Sequence, residues 1–297
     1  MDSLLQEWLD LIVRWVHVVT AIAWIGSSFF FMWLDSHLEK PAAPRRGIEG
    51  ELWMTHSGGF YRVEKIKVAP DEMPRTLHWF KWEAAFTWMS GVLLLAIVYY
   101  VGSGLEFLDP RLAAFGSLGV IAIAAVVLFI AWLIYDGLYM SPLAHTAAAP
   151  VIGCALLVAA AYMLTHFMNG RAAYLHVGAI IGTMMAANVW VRIIPAQREL
   201  VAATKEGRAP DPTLGARAKQ RSVHNNYLTL PVVFIMISNH FSSTWSDPWN
   251  WVVLAGLGFV GAGVRHFFNL RNKGQNAWWI WGLAAAGVVA LFLFVRA

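Results

Sequence analysis

The sequence predicts an all-α integral membrane protein, an eight-span helical bundle. Three observations predict it. Of the 297 residues, 58% are hydrophobic and only 13% are charged, where soluble domains carry about 25% charged residues. Apolar runs recur along the chain, each close to the roughly 20 residues that cross a hydrocarbon core. The chain also holds 16 tryptophans, residues that favour the membrane–water interface. We read 1–297 as a single transmembrane domain with spans near 9–34, 82–101, 112–135, 147–166, 172–192, 226–243, 249–268 and 277–295.

The loops set the expected orientation. The first long loop (35–81) carries eight Lys and Arg, the loop after the fifth span seven, and the last loop Arg271 and Lys273. If every span crosses, these loops share one side, and the other side has only Arg111, Arg171 and Arg296. The positive-inside rule puts the rich side in the cytoplasm. Both termini are then periplasmic in a bacterial inner membrane. Asp2, Glu7 and Asp10 stand where a signal peptide has its basic region, so the N-terminus reads as part of the mature chain. The one cysteine, Cys154, excludes an internal disulfide and a thiolate metal cluster. No Cys-x-x-Cys-His occurs, so the chain cannot attach a c-type haem. No nucleic-acid partner is expected.

Between the first two spans, Gly58 and Gly59 precede an alternation of apolar and polar residues up to Val68. This predicts a short cytoplasmic β-hairpin within 57–70. The loop 193–222, with Pro195, Pro210 and Pro212, is expected to be helical and then irregular. A weak internal echo pairs Trp15-Val16-His17 with Tyr174-Leu175-His176, and His78 with His224. It points to two four-helix halves in the same orientation, an arrangement known for parallel repeats, and chance accounts for so few identities equally well.

Ionisable residues inside spans are costly and mark functional positions. His17 lies eight residues into its span, about 12 Å deep at the helical rise. A neutral imidazole suits that depth if one nitrogen ligates a haem iron and the other donates to a carbonyl. Ala21, Ala23, Gly26, Ser27 and Ser28 follow and would admit a flat macrocycle; equally, His17 hydrogen-bonds a neighbouring helix and the small residues pack it. His176 is a second candidate ligand at a similar depth. His166 and His240 lie nearer the surface and are weaker candidates. At the cytoplasmic end, His78, Glu83, His224 and His266 offer proton donors and acceptors, while Asp136, Asn225, Asn226 and Arg265 offer charge and paired amides. That set suits a planar, multiply hydrogen-bonding anion, although helix ends on this face are polar in any case.

Several blocks together carry a family resemblance. They are Arg14-Trp-Val-His17 running to Gly26, Leu77-His78-Trp79-Phe-Lys81-Trp82-Glu83, and Tyr135-Asp136 running to Leu143. Further on come His224-Asn-Asn-Tyr227 running to His240, and Arg265-His266-Phe-Phe-Asn269. In these the chain resembles the membrane domain of the bacterial cytochrome c-linked urate oxidases, also called urate hydroxylases. A shorter likeness is to four-helix membrane proteins that bind haem b, including a protoporphyrinogen oxidase type. The first resemblance implies oxidation of urate to 5-hydroxyisourate with water as oxygen source. Electrons would leave through a non-covalent haem b, ligated by His17, to a periplasmic cytochrome c. The fused cytochrome domain of that family is absent from these 297 residues, so a separate or missing partner is expected. A transporter for a purine-like anion and a haem-biosynthetic oxidase are the competing readings.

Overall fold

The computed structural model describes residues 2–43, 45–66, 68, 70–100 and 116–296. Residue 101, Arg111, Lys67 and the first residues of the expected third span (112–115) lie outside the described residues. The chain is predominantly helical. Seven helices among the described residues are long and apolar enough to cross a bilayer, which is compatible with a membrane protein.

Helix α1 (Ser3–His37) is started by Asp2, whose carboxylate accepts from the Leu4 amide at 2.9 Å. It extends beyond the expected 9–34 at both ends. Only Leu34 is buried along it, while Trp15, Ile22 and other large apolar side chains are exposed. Such a surface is unstable in water and suited to acyl chains. Helix α2 (Trp82–Leu95) packs antiparallel to α1 and ends in a π-helical turn, Ala96–Tyr100. Helices α3 (Gly116–Met140) and α4 (Ala148–Phe167) follow. Helix α5 (Gly170–Ala187) continues through a second π-turn, Asn188–Ile193, into α6 (Ile194–Lys205). Pro195 cannot donate an N–H to the carbonyl four residues back, which explains irregular hydrogen bonding at this junction. Helix α7 (Pro212–Ser238), the short α8 (Ser242–Trp245), α9 (Asn250–Arg271) and α10 (Trp279–Arg296) complete the order.

Helix α5 is the centre of the bundle. Tyr174, His176, Val177, Ile180, Ile181, Met184 and Met185 are all buried, packed with Tyr135, Tyr139, Leu164, Ile235 and Leu254. Glycine permits the tightest approach. A Cβ on Gly178 would stand 2.7 Å from Ile235 Cγ2 and 2.8 Å from Met236 Cε. Small residues at such contacts let helices approach closely where lipid supplies no hydrophobic drive between them.

Helix α7 runs antiparallel along α5. Asn225 Nδ2 donates to the Met185 carbonyl at 2.9 Å near one end, and Arg171 Nε donates to Asn239 Oδ1 at 2.9 Å at the other. It therefore runs the length of α5, although its polar first half keeps it out of the seven apolar helices. The expected irregular stretch within 193–222 is confined to 206–211; α7 already begins at Pro212, which occupies its first turn where a missing N–H is harmless. Asp211 caps it, and the Thr213 amide and hydroxyl hold the Asp211 carboxyl below the usual carboxylate range.

The predicted hairpin exists with one strand earlier than expected. β1 (Ile48–His56) pairs with β2 (Gly59–Ile66), and Ser57-Gly58 form the turn with φ of 50° and 76°. The alternation that reveals β2 is weaker in β1, which carries Glu49 and Glu51. Arg45 and Arg62 tie the strands through Glu51 and Glu64, and Lys65 Nζ reaches Asp35 at 3.0 Å on α1. Pro70 of this first loop meets Gly207 of the second, so the two most basic loops lie at one end of the bundle.

Candidate functional site

Two polar clusters flank α7 at the end that carries the basic loops. The first lies between α3, the π-turn after α5, and α7. Asp136 Oδ1 accepts from Arg192 Nε at 2.9 Å and from Arg221 Nη2 at 2.8 Å, and Asp136 Oδ2 accepts from Arg192 Nη2. The Arg221 guanidinium lies over the Tyr135 and Tyr139 rings at 4.8 and 5.4 Å. The Tyr135 hydroxyl accepts from Asn188 Nδ2 at 2.8 Å and shares a hydrogen bond of 2.8 Å with His224 Nδ1. Asn188 Nδ2 also reaches Asn225 Oδ1 at 2.9 Å. The π-turn presents Asn188 and Arg192 to this cluster together, in keeping with the frequent placement of such turns at functional positions.

The second cluster lies between α1, α7 and α9. Arg265 is 6% exposed and has no carboxylate partner among the described residues. Its guanidinium rests on the Phe29 ring at 4.2 Å and points Nη2 at Met32 Sδ, 3.4 Å away, while its buried Nε has no partner. Asn226, fully buried, directs Nδ2 to the same sulfur and accepts on Oδ1 from Asn269 Nδ2 at 2.9 Å. Asn269 Oδ1 is buried without a partner. A thioether is a weak acceptor. A buried cation that meets only a sulfur and a ring is uncompensated, which costs several kcal/mol in a low-dielectric interior. Arg265 Nε, a donor, and Asn269 Oδ1, an acceptor, are the two atoms of this cluster left open.

The remaining expected residues fall in different surroundings. His266 Nδ1 lies 2.7 Å from the Tyr227 hydroxyl beside the second cluster, and its ring is exposed. Glu83 has a buried Oε2 without a partner. Because His17 meets Thr87 and Phe31 meets Phe80, antiparallel pairing puts Glu83 at a level between His17 and Met32. His78 is exposed on the loop and rests on Phe80 at 4.5 Å, unlike the half-buried His224, so the sequence echo between them does not extend to their environment. Asp136, expected to hold substrate, is committed to two arginines. Arg221 is one of the seven basic residues of the loop expected after the fifth span; its position three residues before His224 on one helix face is the signal that sets it apart. Met32 gave no signal at all.

Haem b, which the resemblance implies, can be tested against the donor atoms. His17 Nδ1 donates to the Thr87 carbonyl at 3.0 Å, with Ser90 Oγ also at 3.0 Å. That bond fixes the tautomer and leaves Nε2 as a bare lone pair, the state an axial ligand needs. A Cβ on Gly91 would lie 3.0 Å from His17 Cε1, so glycine is what gives this ring its place. His17 fits. His176 does not fit as arranged: Nδ1 donates to the Ala172 carbonyl at 2.7 Å and Nε2 accepts from Tyr100 at 2.5 Å, so ligation requires Tyr100 to withdraw. His166 donates Nδ1 to the Tyr162 carbonyl at 2.7 Å at the far end of α4, and both it and His240 are exposed.

The fold is that of an all-α protein with long apolar helices, and one of those helices carries a buried arginine without a carboxylate partner among the described residues. The chain belongs to the urate oxidase N-terminal family, whose pattern matches residues 3–296. Among curated proteins and among solved structures, nothing matches.

Proposed function

We propose that the protein is a membrane-bound oxidoreductase that converts urate to 5-hydroxyisourate. It has eight crossings, α7 being the sixth in chain order and the one added to the seven apolar helices, with the basic loops in the cytoplasm and both termini in the periplasm of a bacterial inner membrane. The observation that carries the reading is Arg265, buried without a carboxylate and grouped with Asn226 and Asn269. Family membership supplies the substrate.

In this reading Arg265 binds the urate anion by a charge-assisted fork, and the carboxamides of Asn226 and Asn269 pair with its ring N–H and C=O groups. Phe29 and Met32 close the apolar faces. The reaction takes urate and one water to 5-hydroxyisourate, two protons and two electrons. Glu83 Oε2, buried and unpartnered, is the group in reach of the layer between the two sites that accepts a proton, and His266 with Tyr227 passes protons to the aqueous face. His17, with Nδ1 held by the Thr87 carbonyl, would hold a haem b through Nε2, and that group would supply one-electron transfer toward a periplasmic cytochrome c. His17 and Met32 are fifteen residues apart on α1, about 22 Å at 1.5 Å per residue, so substrate and electron exit occupy opposite halves of the bundle.

Turnover of urate by the purified protein in ¹⁸O-labelled water, with added cytochrome c as acceptor, tests this. The label should enter the product and no hydrogen peroxide should form. Hydrogen peroxide released in proportion to product, with dioxygen rather than cytochrome c as the acceptor, would overturn it.

A further inference from the structure

Where Arg221 lines the outside of the first cluster, a cavity of about 250 Å³ opens between α3, α6 and α7. It is lined by Arg192, Arg217 and Arg221 with Gln220, and by apolar Met140 and Leu214. Three cations face one carboxylate, Asp136, which is already shared between Arg192 and Arg221. Arg217 is exposed and has no ion pair among the described residues. Arg221 is 2% exposed, yet its Nη1 has no hydrogen-bond partner. Three arginines at one cavity with a single shared carboxylate leave an excess of positive charge there, which a bound anion relieves.

We propose that this cavity binds a phosphate group, with Arg217 and Arg221 as its two cationic contacts. The chemistry follows from the arginine pair, whose forks match tetrahedral oxyanions. The cavity sits at the ends of two apolar helices, beside Met140 and Val191, both more than 40% exposed. That favours a phosphate carried on an anionic lipid headgroup, since basic pockets between helix ends on the positively charged face recognise such headgroups. The lipid source rests on the membrane reading above; the phosphate chemistry does not, and neither depends on urate.

Native mass spectrometry of the purified protein, titrated with phosphatidylglycerol or phosphatidylcholine, tests the first source. Equilibrium dialysis with labelled inorganic phosphate tests the second. Phosphatidylglycerol should be retained over phosphatidylcholine, and Arg217→Ala should weaken it about tenfold or more, the loss of one charge-assisted hydrogen bond. Arg217 is exposed and makes no ion pair among the described residues, and its electrostatic contact with Asp211 is the weakest of the influences acting on that carboxyl, so thermal unfolding of Arg217→Ala should match wild type. Arg208→Ala removes an equal charge from Arg208, which pairs with Glu199 and Glu206 outside the cavity, and should leave retention unchanged. Stoichiometric binding of inorganic phosphate with the same dependence on Arg217 supports the site with a soluble ligand. Equal retention of both lipids with no phosphate binding overturns the proposal, as does equal weakening by both variants.

Discussion

Asn225 and Asn226 are neighbours in sequence and serve opposite sides of α7. Asn225 bonds to Asn188 and to the Met185 carbonyl, facing α5; Asn226 bonds to Asn269 and Met32, facing α9 and α1. Successive helical residues project about 100° apart, so one dipeptide stitches two polar clusters into the bundle. In the first cluster Arg192 and Arg221 share the carboxylate of Asp136; in the second, Arg265 has no carboxylate among the described residues.

The matched cluster should behave as a structural one. Asp136→Asn leaves the fully enclosed Arg221 without its counter-charge, and breaking a buried pair costs about 3–5 kcal/mol. Thermal unfolding in detergent should show a marked drop in midpoint, while urate affinity per folded molecule stays unchanged. A large loss of affinity with wild-type stability would return Asp136 to the substrate site.

Gly178 should tolerate no side chain. In Gly178→Leu the added atoms meet Ile235 and Met236, whose nearest carbons already stand within 3 Å of the Cβ position, and overpacking a tight contact costs about 1–3 kcal/mol or more. Reduced yield of folded protein and a lower unfolding midpoint are expected. Wild-type stability would show that α5 and α7 do not pack as described.

The His17 ring is placed by Gly91 and oriented by Thr87. His17→Ala should abolish haem absorbance. Gly91→Ala should shift or broaden the Soret band and lower haem content, because the new methyl group presses on the imidazole edge. A Soret band of full intensity and unchanged position in His17→Ala would remove His17 as ligand.

Sidedness can be checked with reporter fusions. One inserted at Gly207 and one following residue 296 should report opposite compartments, cytoplasm for the first and periplasm for the second. Both reporting one compartment would require an odd number of crossings.

The helices are legible in the sequence because each apolar run is long enough to span and carries few charges. α7 was placed by its apolar half, 226–243; its polar first half, which continues the same helix from Pro212, reads as a loop because Arg217, Arg221 and Asn225 have no apolar period. Arg265, Asn226 and His17 were legible as costly polar residues within apolar runs. Their partners were not. Met32, Phe29 and Tyr100 are ordinary apolar or aromatic residues whose importance comes from neighbours more than 70 residues away in the chain. Asp136 looked like a binding residue because the two arginines that occupy it, Arg192 and Arg221, lie on other elements.

The central claim is that Arg265 holds the substrate anion. It is tested most directly by calorimetric titration of urate into purified wild type and Arg265→Ala, with haem content measured on the same samples. The account predicts full haem in both and affinity about 10- to 150-fold weaker in the variant, the loss of one charged hydrogen-bonding partner. Full haem with unchanged urate affinity would contradict it.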